Sequence, residues 1–227
     1  MRQKALESYE DLSSDERSQI PQELRVWLRY RSEKYFGGER TPPGSKRKTG
    51  RQGKKPKKKA HAPDHSVASR SINSPVGKLV VLASKKGISG LYFGHRIESS
   101  TLPPDPRRHN LLDQAVDELE QYFEGERRRF SLPLDARGSG FQRAVWRELS
   151  EIPFGQTRSY GDLAGELDNP GAVRAVGTAN GVNPISIIVP CHRVIGKDGT
   201  LTGFGGGLDI KRKLLQHEGV VLELPGL

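Results

Sequence analysis

A chain of 227 residues with 33% hydrophobic content has room for one or two small cores plus an unpacked segment, not for one large core. Its single cysteine, Cys191, excludes a disulfide framework and a cysteine-rich zinc site. The formal net charge of +10 is local: ten of the 37 Lys and Arg lie between Arg40 and Lys59, where there is no acid, and the remainder of the chain is balanced. No apolar run approaches the ~18 residues that span a bilayer, and Met1-Arg2-Gln3-Lys4 leads into acidic residues rather than a signal-peptide core. A soluble intracellular chain without membrane association is expected.

In chain order, Pro21-Gln22-Glu23 followed by Leu24, Trp27, Leu28 and Tyr35 predicts a short amphipathic helix in an N-terminal extension, residues 1–37. The basic run is broken by Pro42, Pro43, Gly44, Gly50, Gly53 and Pro56 and cannot bury enough apolar surface to fold alone, so 38–65 is expected to be a disordered linker. It serves either as a solubilising spacer or as an arm that gains affinity for DNA phosphates by counterion release. Val67 to Ile72, Lys78 to Leu82 and Ile88 to Phe93 are strand runs at hairpin spacing, separated by Ser74-Pro75-Val76-Gly77 and Lys85-Lys86-Gly87. Leu111, Leu112, Ala115, Val116, Leu119, Tyr122 and Phe123 recur with helical period, and Gly125 is placed to end that helix. Arg129 to Leu134 returns to strand character. Residues 66–136 therefore read as a structural α/β domain, a small antiparallel sheet with one covering helix.

Residues 137–227 read as a second, mainly helical domain. Ser139-Gly140-Phe141-Gln142 is a capping box, opening a helix whose apolar face is Phe141, Val145 and Leu149. Ser159-Tyr160-Gly161-Asp162 caps a second helix through Leu163, Ala164 and Leu167. After the tight turn Asp168-Asn169-Pro170-Gly171, residues 172–180 form a helix of small residues carrying one long cation, Arg174. Helix, turn, small-residue helix is the helix-turn-helix pattern. A base-reading helix carries several polar readers, whereas this one has mainly Arg174, which suits a groove entered with little sequence preference. Backbone N–H groups near Tyr160-Gly161 and Asn169 at the helix starts are candidate phosphate contacts, and Lys197 is another.

The chemistry centres on Pro190-Cys191-His192-Arg193-Val194. A thiol attacks only as thiolate, and His192 is placed to serve as its base. Pro190 fixes the backbone before the nucleophile, and Ile185-Ser186-Ile187-Ile188-Val189 is β-branched enough to be a buried strand ending at the thiol. Gly203-Phe204-Gly205-Gly206-Gly207 lacks the spacing and Lys of a phosphate-binding loop and is read as a pocket wall, lined by Phe204, Gly205 and Val194.

Pro190-Cys191-His192-Arg193-Val194 resembles the acceptor-cysteine motif of the O6-alkylguanine-DNA alkyltransferases, the methylated-DNA-protein-cysteine methyltransferases, and the likeness runs from about Ser74 through Glu218. The resemblance implies an α+β fold and single-turnover transfer of an alkyl group from guanine O6, less readily thymine O4, to Cys191. It implies that His192 acts as base through a water, that Glu218 orients it, and that Tyr160 donates to the departing purine. Asn183 matches a brace of the acceptor turn, Lys211 a lysine near the cysteine backbone, and Arg174 the residue that fills the gap left by a flipped base. No cofactor and no metal are implied. The implied partner is double-stranded DNA containing O6-alkylguanine, bound by a monomer in a bacterial nucleoid or a nucleus. Many relatives carry tyrosine where Phe204 stands and a bulkier residue at Gly205, so a pocket open to alkyl groups larger than methyl is expected. The rival classes are an alkyltransferase-like lesion sensor without an acceptor thiol, a Cys-His hydrolase, and an architectural basic DNA-binding protein.

Overall fold

A computed structural model describes residues 62–63, 66–106 and 109–221. The expected N-terminal helix and the basic run 40–59 lie outside the described residues. The chain divides into two units, Met1–Lys57 and Lys58–Leu227, and all that follows concerns the second.

The fold is α+β. Strands β1 (Ala68–Ile72), β2 (Leu79–Ala83) and β3 (Ile88–Phe93) form an antiparallel sheet in that order. The hairpin registers pair Ile72 with Leu79 and Val81 with Leu91, with an irregularity at Leu82/Ala83. β2 is buried along its whole length because it is central and covered on both faces. Val80 and Leu82 pack with Ile97, Tyr92 and Leu102, and helix α1 (Asn110–Phe123) packs against the sheet through an apolar stripe of Leu112, Ala115, Leu119 and Tyr122. Burying each such large side chain is worth about 1.5–3 kcal/mol. Gly125, at φ +77°, ends α1 in a left-handed conformation that glycine adopts without strain.

The strand expected over Arg129–Leu134 does not form; only Leu134 bridges Ile88. The physical reason is a side chain. Buried Glu118 of α1 accepts hydrogen bonds from the backbone N–H and hydroxyl of Ser131 and from Gln114, with Arg127 3.4 Å away, so the segment is tied to a carboxylate instead of a ladder.

The C-terminal part contains α2 (Gly140–Glu151), α3 (Tyr160–Glu166), α4 (Val173–Gly181) and α5 (Leu208–His217). The capping box at Ser139/Gln142 forms as read, and the cap read at Ser159 is itself a full capping box with Asp162. On α2, Phe141 is exposed, and Trp146 takes the buried place, its Nε1 donating to the Ala179 carbonyl at 2.9 Å and tying α2 to α4. A two-stranded parallel pair, β4 (Arg158–Ser159) with β5 (Val194–Ile195), joins the start of α3 to the chain just after the cysteine. Among the described residues no helix is long and apolar enough to cross a membrane.

Candidate active site

The segment before the cysteine is not the expected strand. Ile185, Ser186 and Val189 make isolated bridges around a turn, and Ile187 has φ +71°, a conformation costing a β-branched residue about 1–3 kcal/mol. Tertiary bonds impose it. Leu91 of β3 donates to the Pro184 carbonyl at 2.9 Å and accepts from Ser186 N–H at 3.1 Å, so the sheet edge grips the turn. Buried Asn183 braces it from within: Nδ2 donates to the Val189 carbonyl at 2.8 Å, and Oδ1 accepts from Ile185 N–H at 3.0 Å. Cys191-His192-Arg193 is then one turn of 3-10 helix rather than extended chain, and all three side chains are buried.

Burial pushes the Cys191 thiol up, opposed by hydrogen bonding from Asn183 and by the charge of Lys211. The resting group is thus a thiol, and attack requires a base. Burial lowers His192, against the pull of Glu218 that raises it, so the imidazole is held neutral. Its Nε2 lies 2.8 Å from Glu218 Oε1, whereas Nδ1 is buried with no hydrogen-bond partner among the described residues. With Nε2–H donating to the carboxylate, Nδ1 is the acceptor nitrogen.

Glu218 follows the last residue of α5 and is 4% exposed. Besides His192, its Oε1 accepts from Tyr122 OH (2.8 Å) and Arg193 Nη2 (2.9 Å), and its Oε2 accepts from Arg193 Nε (2.8 Å) and Gly155 N–H (3.2 Å). Desolvation alone would raise this carboxyl, but hydrogen bonds and charge from His192 and Arg193 outweigh it and hold the group far below the ordinary carboxylate range. Arg193 Nη1 also donates to the Ile152 carbonyl at 2.5 Å. Lys211 is fully buried; Nζ donates to the Val194 and Thr202 carbonyls, and desolvation lowers it to about 8 despite the attraction of Cys191.

Tyr160 opens α3, half-buried, and its hydroxyl accepts from Thr202 Oγ1 at 3.0 Å. The parallel pairing of Arg158 with Val194 and Ser159 with Ile195 brings the start of α3 alongside the cysteine's own segment. On α4, Arg174 is exposed and has no ion-pair partner among the described residues. The small-residue face of that helix is narrower on the outside than its composition implies: Ala179 is buried, and a Cβ on Gly177 would lie 3.7 Å from the Tyr160 ring, leaving Ala172 and Ala175 on the outer side. Gly161, Asn169 and Lys197 are exposed. Asn169 precedes a 3-10 turn, Pro170–Ala172, so the first N–H groups of α4 lie beyond it, from Val173 on.

Of the expected pocket residues, Val194 and Phe204 are interior, and Phe204 meets Phe93 edge-on at 5.6 Å. Gly205 has open space where a Cβ would stand, but at Gly206 a Cβ would come within 2.6 Å of Phe93 and 2.9 Å of Phe204. Gly206→Ala is therefore expected to destabilise the fold by about 1–3 kcal/mol through overpacking, read as a fall in the urea midpoint, with Gly205→Ala as a near-neutral control.

Reading the chain alone missed Arg193, Tyr122 and Gly155 as donors to Glu218. Arg193 carries a signal, a cation inside a motif otherwise destined for burial. Tyr122 carries none, since an aromatic at a core position of a helix reads as packing, and the Gly155 contact is a backbone one. Among the described residues no group of three or more His, Cys, Asp or Glu is placed to hold a metal.

Comparison with known proteins places the described residues among related chains. Residues 140–220 match the model described as 6-O-methylguanine DNA methyltransferase, DNA binding domain, and residues 67–136 that of the 6-O-methylguanine DNA methyltransferase, ribonuclease-like domain. The methylated-DNA-protein-cysteine methyltransferase of Mycobacterium tuberculosis (strain H37Rv) is 48% identical over 155 residues, covering 66% of this chain and 90% of that protein. That of Haemophilus influenzae is 48% identical over 151 residues, covering 64% and 82%. Among solved structures, Mycobacterium tuberculosis OGT in complex with DNA superposes with a TM-score of 0.62 at 48% identity, covering 67% of this chain and 92% of that one.

Proposed function

The chain belongs to the 6-O-methylguanine DNA methyltransferase family, and from that premise we propose how its own residues carry out the repair reaction. The protein binds DNA and repairs it directly, moving an alkyl group onto Cys191. The reading is carried most by the relay itself: a buried thiol followed by an imidazole whose Nε2 is bound to a carboxylate and whose Nδ1, without a partner among the described residues, can serve as acceptor.

The substrate is O6-alkylguanine in duplex DNA, with O4-alkylthymine taken less readily. The nucleotide is extruded, at a cost of a few kcal/mol, and Arg174, exposed on α4, fills the gap. Amides at the starts of α3 and α4, around Gly161 and beyond Asn169, and the ammonium of Lys197 contact phosphates. His192 Nδ1 takes the thiol proton through a bridging water; the thiolate attacks the alkyl carbon in line, the S–C bond forms, and the C–O6 bond breaks. Tyr160 donates a hydrogen bond to the departing purine, which recovers a proton as His192 releases its own to solvent. Glu218 steadies the transient imidazolium, and Asn183 holds the acceptor turn. Lys211 lends positive potential to the thiolate. The thioether is not displaced, so a monomer repairs one lesion and is spent; it needs neither metal nor cofactor. The work is done wherever DNA is kept, in a nucleoid or a nucleus.

Mixing the protein with excess O6-methylguanine duplex and digesting the DNA tests this reading: loss of the modified base should plateau at one per protein molecule. Continued turnover, or binding without loss, would overturn it. Arg174→Ala is expected to slow transfer from duplex roughly 10²-fold, the equivalent of about 3 kcal/mol of extrusion no longer compensated. Transfer from free O6-methylguanine base should be unchanged, and an equal loss on both substrates would contradict the flipping role.

A further inference from the structure

We infer that Tyr122, contributed by the helix that covers the sheet, is a positioning residue of the transfer: it shares Glu218 Oε1 with His192 and so sets how strongly the carboxylate holds the imidazole. The inference rests on the reading of His192 as base. Tyr122 is fully buried, and its hydroxyl donates to Oε1 at 2.8 Å, the same distance at which His192 Nε2 meets that oxygen. The tyrosine holds the adjacent residue as well: His217 Nε2 lies 2.7 Å from the Tyr122 carbonyl, and the two rings meet at 4.9 Å. Consecutive residues at the end of α5 are thereby clamped by one residue 95 and 96 positions earlier.

The contact is more than packing. Burial, with the adjacent carboxylate, holds the phenol well above its ordinary range, so it remains a donor wherever the protein is folded. Oε1 then serves three donors: Tyr122 OH, His192 Nε2 and Arg193 Nη2. A carboxylate that already accepts a phenolic proton attracts an imidazolium less strongly, particularly where water is excluded. The ionisable groups that bear on His192 are Cys191 beside it and Arg193 on its own turn, Lys211 of α5, and Glu218 just after α5, whose Oε1 Tyr122 of α1 also holds. Arg193 and Lys211 disfavour the imidazolium, and Glu218 favours it. Tyr122 tempers Glu218, keeping His192 neutral and ready to accept.

Tyr122→Phe keeps the ring and deletes the donor. The rate of methyl transfer requires neutral His192, so it falls as pH drops through the imidazole titration. In Tyr122→Phe that limb should move up by about half to one pH unit, lowering the rate roughly three- to tenfold on the acid side. Incorporation of 3-fluorotyrosine at position 122, a stronger donor of nearly equal shape, should move it the opposite way. The His192 imidazole shifts, followed by NMR in the same proteins, should titrate in parallel. A rate lowered equally at all pH values, with the His192 titration unmoved in both variants, would make Tyr122 merely structural and overturn the inference. If the wild-type protein transfers no methyl at any pH, the parent reading fails by itself, and the imidazole titration still decides the role of Tyr122.

Discussion

Cys191→Ser is expected to abolish alkyl transfer while leaving the fold and DNA binding in place. The hydroxyl that replaces the thiol is far less acidic, and neither His192 nor the charge of Lys211 can ionise it at neutral pH. In relays of this kind, removing the nucleophile costs on the order of 10⁶ in rate, which for a single-turnover protein means no measurable product. The fold should lose only about 1–3 kcal/mol, the penalty for a buried hydroxyl in a site shaped for sulfur, because Asn183 offers a nearby polar partner. Arg174 and the start of α3 are untouched, so affinity for a lesion-bearing duplex should stay within about twofold, by gel shift at fixed salt. Residual stoichiometric transfer by the serine variant would place the acceptor elsewhere in the chain.

The second large effect falls on Glu218→Gln. Five hydrogen bonds converge on this carboxylate, two of them from the buried guanidinium of Arg193. An amide keeps one acceptor oxygen, and whichever way it is turned its NH2 faces the guanidinium of Arg193, which can only donate. Arg193, 5% exposed, is then left a buried cation without its counterion. Breaking a buried pair in this way costs about 3–5 kcal/mol, which should appear as a large fall in the denaturation midpoint. The rate of transfer should drop on the order of 10²–10⁴-fold, because the imidazole loses both its orientation and the stabilisation of its charged form. The variant also changes the response to acid. Glu218 titrates below its unfolded value, so the stability it contributes is present above the ordinary carboxylate range, near 4.3, and is lost as pH falls from there toward the folded pKa. Glu218→Gln should therefore lose less stability than wild type across that acid range, and unfolding curves collected at several pH values check the sign. A variant as stable as wild type at neutral pH would show that the network is not what holds α5 to the acceptor turn.

Much of this molecule is legible in the chain because its signals are local. Ser139 with Gln142 and Ser159 with Asp162 satisfy helix N–H groups within four residues, so both caps can be read directly. The three strands and α1 follow from periodicity backed by Pro and Gly breaks. What could not be read depends on partners far along the chain. Ile185–Val189 has strand composition, yet Leu91 and Asn183 bend it into a turn and force Ile187 into the left-handed region. Phe130-Ser131-Leu132 has strand character too, but a buried glutamate thirteen residues earlier claims its polar groups. In the site, Cys191 and His192 are adjacent and stand out by residue type, whereas Asn183 and Glu218 follow only from the family resemblance. Tyr122 and Gly155 become visible only once the carboxylate's partners are mapped in space.

The most direct test of the central claim is the intact mass of the protein after incubation with a duplex holding one O6-methylguanine, followed by peptide mapping. The mechanism predicts a gain of one methylene unit per molecule, located on the peptide that carries Cys191 and absent from Cys191→Ser. An unchanged mass, with the lesion duplex still bound in preference to undamaged DNA, would contradict it and make the protein a sensor of the damage instead of its acceptor.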